Sequence, residues 1–345
     1  MASTSILNMK SKPAISVRFV TVFLLLLFVC CNSSFGLKSE NFRGDSLVPQ
    51  KTTDRQSIKN IVVENEWESY STQWFYCDNN KETKGVALVI HGLNLRPNKM
   101  QSIIAKLTDC GIDALNLSLR GHGENYTHQE GVDSDNARLE DFKATTYQVW
   151  TNEAYLAYLQ VKERAVQKEV PVFFIGYSLG ALMGLDLFAS YQDVYYDRMV
   201  LFAPAIKLHA IHYLARLLSP FPGLIIPSLA PDSYLANKKG TPVAAYDALF
   251  DGLNNFEKNA NSIINVPTLI FIDEQDEFIP TAGLKNFAAE KKLDQWQIYA
   301  VQKGKDVKLG TFHHHIIDDD SAGKDVWQEM MNAATAHLLN DRIRK

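Results

Sequence analysis

Ser178 stands between two glycines in the stretch "FFIGYSLGALMG", residues 173–184, where an apolar run gives way to a helical pattern. The run "VPVFFIG", Val170 to Gly176, is short, β-branched and aromatic, and reads as a buried strand. "SLGALMGLDLFAS" follows with apolar residues at helical spacing, which places the serine on the turn between strand and helix. A serine hydroxyl is a poor nucleophile at neutral pH and needs a base within hydrogen-bond reach. An imidazole serving as that base needs a carboxylate to fix its tautomer and stabilise its cation. The alkoxide that develops needs two preorganised N–H donors. A glycine-flanked serine alone marks no more than a tight turn, so the rest of the chain must supply these parts.

Carboxylates come from "PTLIFIDEQDEFIP", a strand that ends in an acidic loop holding Asp273, Glu274, Asp276 and Glu277. Asp273 occupies the strand's last position. Asp276 lies where the loop turns back over the sheet edge, and we take it as the acid, with Asp273 second. Imidazoles come from "TFHHHIIDDD", between the last strand and the terminal helix. Three consecutive histidines also suggest a metal. In extended chain, however, only His313 and His315 share a side, and no second ligand cluster with zinc spacing accompanies them. Neither metal nor cofactor is expected. The apolar Ile316 and Ile317 can anchor His315, which we take as the base, with His314 second and His313 third. The N–H donors come from "VALVIHGLN", where Gly92 lets the backbone turn so that Leu93 N–H faces the site, and from Leu179, directly after the serine. His91 is read as holding that loop by a hydrogen bond. The order serine, acid, histidine is not that of the chymotrypsin or subtilisin arrangements.

These residues sit at the ends of strands. "GVALVIHG", "GIDALNLSLRGHG", "PVFFIGYS", "MVLFAPA", "VPTLIFIDEQD" and "WQIYAV" read as strands, with helical patterns near 98–109, 139–166, 179–191, 280–291 and 323–341. Alternating strand and helix predicts an α/β fold with a mostly parallel central sheet and helices on both faces. Such sheets put their chemistry on loops at the strands' carboxyl ends. Two antiparallel strands flank "ENEWES" ahead of this core. An apolar, proline-punctuated insertion at 206–265 divides it into 58–205 and 266–345 and is read as a lid.

The 345 residues are 46% hydrophobic and 21% charged with net charge −4, so no basic excess points to nucleic acid. Lys10, Lys12 and Arg18 precede the uncharged "FVTVFLLLLFVCC", which is too short to span a bilayer. With "SFG" at Ser34 to Gly36, this predicts a signal peptide over 1–36, cleavage before Leu37, a polar segment at 37–57 and export. A lipoprotein signal at Cys31 or Cys30 competes, although Cys30 or Val29 then stands where a small residue is usual. Cys77 and Cys110 can pair or stay free. "NLS" at Asn116 and "NYT" at Asn125 match the glycosylation sequon, the first inside a strand.

In their order, "HGLN", "LRGHGEN", "GYSLGA" and "PTLIFIDEQDEFIP", followed by a late histidine, resemble an α/β-hydrolase of the serine esterase and monoacylglycerol lipase type, the S33-type hydrolases. The resemblance spans about 85 to 340 and implies Ser178 as nucleophile and Asp276 as acid. It further implies a base among 313–315, Leu93 and Leu179 as oxyanion donors, and 206–265 as the cap. Relatives often carry an aspartate before "RGHG", where this chain has Ser118. The implied function is hydrolysis of carboxylic esters with a lipophilic acyl group, such as acylglycerols, through an acyl-serine. Peripheral contact with a lipid surface through the cap goes with it. The alternatives are a thioesterase or acyltransferase with the same triad, or a binding protein without turnover.

Overall fold

Buried parallel strands must be apolar on both faces, and β2 (Gly85–Ile90), β3 (Ile112–Leu117), β5 (Arg198–Phe202) and β8 (Thr268–Asp273) are buried at every position. The computed structural model describes residues 71–78, 82–308 and 312–339. With β1 (Thr72–Phe75), β4 (Val172–Tyr177) and β9 (Trp296–Val301), these strands form a seven-stranded sheet in the order β1-β3-β2-β4-β5-β8-β9. All neighbours pair in parallel except β1, which runs antiparallel to β3 with Thr72 opposite Leu117. The first of the two strands expected around "ENEWES", like the expected signal peptide with Cys30 and Cys31, lies outside the described residues.

The order places a switch at the centre. From β2 the chain crosses through α1 (Gln101–Asp109) to β3 on one side, then returns to β4 on the other. Right-handed crossovers carry successive helices to opposite faces at such a point, and in sheets of this kind ligands bind where the loops diverge. On one side α1 and α8 (Lys324–Leu339) touch each other; on the other, α3 (Tyr147–Lys168) packs on β2 and on α4 (Leu179–Ser190). Every residue of α4 from Leu179 to Phe188 is buried, the mark of a core helix.

The single helix expected over 139–166 is two, α2 (Ser134–Lys143) and α3. Thr146 caps α3, its side chain accepting the Val149 N–H. A hydroxyl that can satisfy a free N–H is worth more at a helix start than inside one, and this divides the pattern.

The 206–265 insertion has two characters. Its outer part holds a 3-10 segment (Ala210–Leu218) and a short antiparallel pair, β6 (Ile225–Ile226) with β7 (Thr241–Pro242). Ile211, Leu214, Leu217, Phe221 and Leu229 are exposed there. Its second part, α5 (Val243–Asn259), instead packs against α4 and belongs to the core, burying Leu249, Phe250, Leu253 and Phe256. α6 (Thr281–Glu290) and α7 (Asp319–Ala322) complete the fold. Among the described residues no helix is long and apolar enough to cross a membrane.

Candidate active site

Ser178 follows the last residue of β4 and precedes the first of α4, with φ 51° and ψ −115°. A non-glycine residue there is strained by roughly 1–3 kcal/mol, so the surroundings must hold it. Its N–H donates to Phe202 O at 2.9 Å, and its carbonyl accepts from Leu182 N and Ala205 N. The flanking glycines make the turn fit. A Cβ on Gly176 would lie 2.5 Å from Ala181 Cα, and one on Gly180 only 2.2 Å from Ile90 O and 2.5 Å from His91 O. The helix thus starts directly against the end of β2, and the hydroxyl is lifted off the sheet.

The imidazole that meets Ser178 belongs to His314. Its Nε2 lies 2.9 Å from Ser178 Oγ and its Nδ1 2.8 Å from Asp276 Oδ2. The carboxylate can only accept, so Nδ1 carries the proton and Nε2 is left to accept the serine O–H. Asp276 Oδ1 accepts the N–H groups of Phe278 and Ile279, and its side chain is fully buried. Asp276 thus takes the place expected for the acid.

His315, the first choice from sequence, does not reach Ser178. Its ring packs against Phe312, Tyr234 and Tyr177 with centroids 4.8, 5.0 and 5.9 Å away, and its buried Nδ1 has no partner among the described residues. Burial pushes its pKa well below the usual histidine value, aided by His314 and by Lys303 and Lys99. Two causes overturn the expectation. His313 and His314 form a turn rather than an extended segment, so alternation of side chains does not apply. Ile316 and Ile317 are completely buried and draw the adjacent His315 inward with them.

His313 takes a different carboxylate. Its Nδ1 lies 2.8 Å from Asp273 Oδ2, while Asp273 Oδ1 accepts the Gln275 N–H. Glu274 is exposed. Glu277 accepts from the backbone, with Oε1 taking the His313 N–H and Oε2 the His314 N–H, both at 2.9 Å. Lys303 Nζ donates to Phe312 O at 2.6 Å, and burial lowers its pKa against the pull of Asp273, Glu277, Asp276 and Asp318. Among the described residues no group of three His, Cys, Asp or Glu side chains is arranged to hold a metal ion.

The loop after β2 reaches the same place. A Cβ on Gly92 would lie 2.7 Å from the Tyr177 ring and 3.3 Å from Ser178 Cβ, so Leu93 begins beside the serine. Leu179 is the first residue of α4, where an N–H has no carbonyl one turn back. His91 holds this loop as expected: its Nδ1–H donates to Gly92 O at 2.8 Å and its Nε2 accepts the Leu119 N–H at 3.1 Å. Burial lowers its pKa to about 4, so it is neutral at pH 7. The histidine of "RGHG" extends the lattice, a role its sequence context left unassigned. His122 Nε2 accepts the Asn94 N–H at 3.0 Å, and burial drives its pKa well down, with the nearby His91 ring opposing a second proton. The "RGHG" loop, which lacks the aspartate common in relatives, is supported by the buried Glu153. That carboxylate accepts Arg120 N–H at 2.8 Å and Asn125 Nδ2–H at 2.9 Å.

The insertion joins both halves of the site. Arg96 N–H donates to Tyr234 O and Ala236 N–H to Asn94 O, while His209 N–H donates to Phe278 O and His212 Nε2–H to Glu277 O. Asn116 and Asn125 are both buried, their amides donating to Pro97 O and to Ser118 O and Glu153, so neither sequon is open to a glycan in the folded chain. Among the described residues Cys77 and Cys110 are not paired with each other.

Three kinds of comparison bear on this arrangement. Residues 81–303 match the family described as serine aminopeptidase, S33. No curated protein matches in sequence. Solved structures do match in fold. One belongs to the metagenome-derived lipolytic enzymes LipS and LipT, with TM-score 0.60 and 16% identity over 78% of this chain and 97% of that one. A soluble variant of monoglyceride lipase from Saccharomyces cerevisiae has TM-score 0.55 and 16% identity over 77% of this chain and 90% of its own. The monoacylglycerol lipase of Paleococcus ferrophilus has TM-score 0.52 and 18% identity over 77% and 98%. With the family pattern covering residues 81–303 and Ser178 at the end of β4, beside the switch point of the sheet, this protein is an α/β-hydrolase belonging to the S33 serine aminopeptidase family of hydrolases.

Proposed function

We propose that this chain is an exported serine esterase that hydrolyses carboxylic esters of lipophilic acids, in the manner of a monoacylglycerol lipase. The observation that carries the reading is the unbroken chain Ser178 Oγ–His314–Asp276 at 2.9 and 2.8 Å. Ser178 Oγ attacks the ester carbonyl as His314 Nε2 takes its proton, and Asp276 stabilises the imidazolium. The N–H groups of Leu93 and Leu179 receive the oxyanion. His314 returns the proton to the departing alcohol, leaving an acyl-serine, and a water activated by the same imidazole releases the acid.

Two facts support a lipophilic acyl group. The outer part of the insertion is apolar and hydrogen-bonded to the loops on both sides of Ser178, which suits it to act as a lid over the site and to lie against a lipid surface. The proteins of similar fold named above are lipases and other lipolytic enzymes. Labelling with a fluorophosphonate and hydrolysis of p-nitrophenyl esters test the proposal. Both are expected to vanish in Ser178→Ala with Tm within a few degrees, because alanine meets the same backbone strain as serine. kcat/KM should rise from acetate to medium-chain esters, since each buried methylene is worth up to about 0.8 kcal/mol. Undiminished turnover in Ser178→Ala would end the reading. Export is checked separately by sequencing the N-terminus of protein recovered outside the cells, expected at Leu37; an intact Met1 would refute it.

A further inference from the structure

We propose that Glu277 is a positioning residue for the base: its carboxylate clamps the backbone of the His313–His314 turn and so sets where the His314 ring stands. The inference rests on the reading of Ser178, His314 and Asp276 as the reacting set. The two oxygens of Glu277 each accept one of two consecutive amides, His313 N–H and His314 N–H, at 2.9 Å. Asp276, one residue earlier, holds the ring of the same His314 at 2.8 Å. Adjacent acids in one turn therefore tether one histidine at its backbone and at its imidazole.

The need for such a clamp follows from where His314 lies. Between the end of β9 at Val301 and the start of α7 at Asp319 the described residues form neither strand nor helix. Among the described residues no strand ladder fixes the base against Ser178, and the His314 carbonyl accepts only a long bond from the Tyr177 hydroxyl at 3.4 Å; a displacement of about 1 Å can cost a hundredfold in rate. The acid turn is a rigid place to anchor it. Asp276 Oδ1 accepts two N–H groups within that turn, Asp273 Oδ1 accepts a third, and His212 of the insertion donates to Glu277 O at 2.8 Å. A carboxylate of this length offers one oxygen to each amide. A glutamine of the same length has one acceptor oxygen and turns an N–H toward the second amide. An aspartate is too short to span both.

The test uses the full chain with p-nitrophenyl butyrate as substrate and a spectroscopic readout independent of turnover. In Glu277→Gln and Glu277→Asp, kcat is expected to fall about tenfold to a hundredfold with KM within twofold, while circular dichroism stays native. The downfield Nδ1–H proton resonance of His314, identified by its loss in His314→Ala, is expected to broaden or vanish in both variants. A kcat within twofold of wild type, or a fall in kcat with the His314 resonance unchanged, overturns the clamp. Should the wild type hydrolyse no ester, the resonance alone decides: its dependence on Glu277 upholds the clamp while the esterase reading falls. Should one variant unfold, the other carries the comparison.

Discussion

An imidazole that works as a base needs one nitrogen held by a carboxylate and the other open to the hydroxyl. His314 meets both conditions, whereas His315 lies against Phe312, Tyr234 and Tyr177 with its buried Nδ1 unpartnered among the described residues. His314→Ala should therefore lose roughly three or more powers of ten in kcat. His315→Ala should lose about tenfold or less in kcat, but its Tm should fall because the truncation empties a packed aromatic site. Parallel kcat and Tm measurements on the two variants check this. A severe kinetic loss in His315→Ala with a mild one in His314→Ala would reverse the assignment.

At the scale of elements, the turn from β4 into α4 depends on how closely the helix start approaches the end of β2. Gly180 has no room for a side chain, because the obstructing atoms are the carbonyl oxygens of Ile90 and His91, which cannot move without disturbing the strand. Gly180→Ala should cost about 3 kcal/mol or more, or prevent folding. Gly223 lies in the outer insertion, where an added Cβ would meet nothing within 4 Å, and serves as the control. Gly223→Ala should change stability by less than about 0.5 kcal/mol. Urea midpoints for the two variants decide. Similar midpoints would mean that the contact between α4 and β2 yields more easily than its geometry implies.

Over the whole molecule, burial of neutral histidines ties stability to pH. The His91 pKa is lowered from 6.5 to about 4, and those of His122, His212, His315 and His337 are lowered as well, each chiefly by burial. The unfolded chain binds these protons first, so stability is present above about pH 6.5 and is lost as the pH falls below it. His91 alone contributes a loss of about 2 kcal/mol by pH 5. Asp186 works the other way. Burial raises its pKa to about 6, so the folded state gains its proton first, which returns about 1 kcal/mol over the same range. The Asp251 carboxyl is raised in the same direction, chiefly by burial and then by Asp247. Five histidines outweigh these two carboxyls, and Tm should fall between pH 7 and pH 5. A constant or rising Tm over that interval would show that these rings take up protons without loss of the fold.

Local pattern determined a good deal. Runs such as "GVALVIHG" and "PTLIFID" are legible as buried strands because a residue covered on both faces must be apolar wherever it pairs, and the glycines around Ser178 announce a turn that only small residues permit. The order of serine, acid and histidine is equally a property of the chain. Local pattern cannot show which neighbour a side chain meets. Thr146 ends one helical pattern and starts another because its hydroxyl finds a backbone N–H. α5 joins the core because α4 offers it a buried face. The choice of His314 over His315 depends on a turn whose amides are taken by Glu277, 36 and 37 residues earlier, and on the complete burial of Ile316 and Ile317. Periodicity reports the environment averaged over an element, whereas a site is decided by single contacts between distant segments, which exist only once the chain has folded.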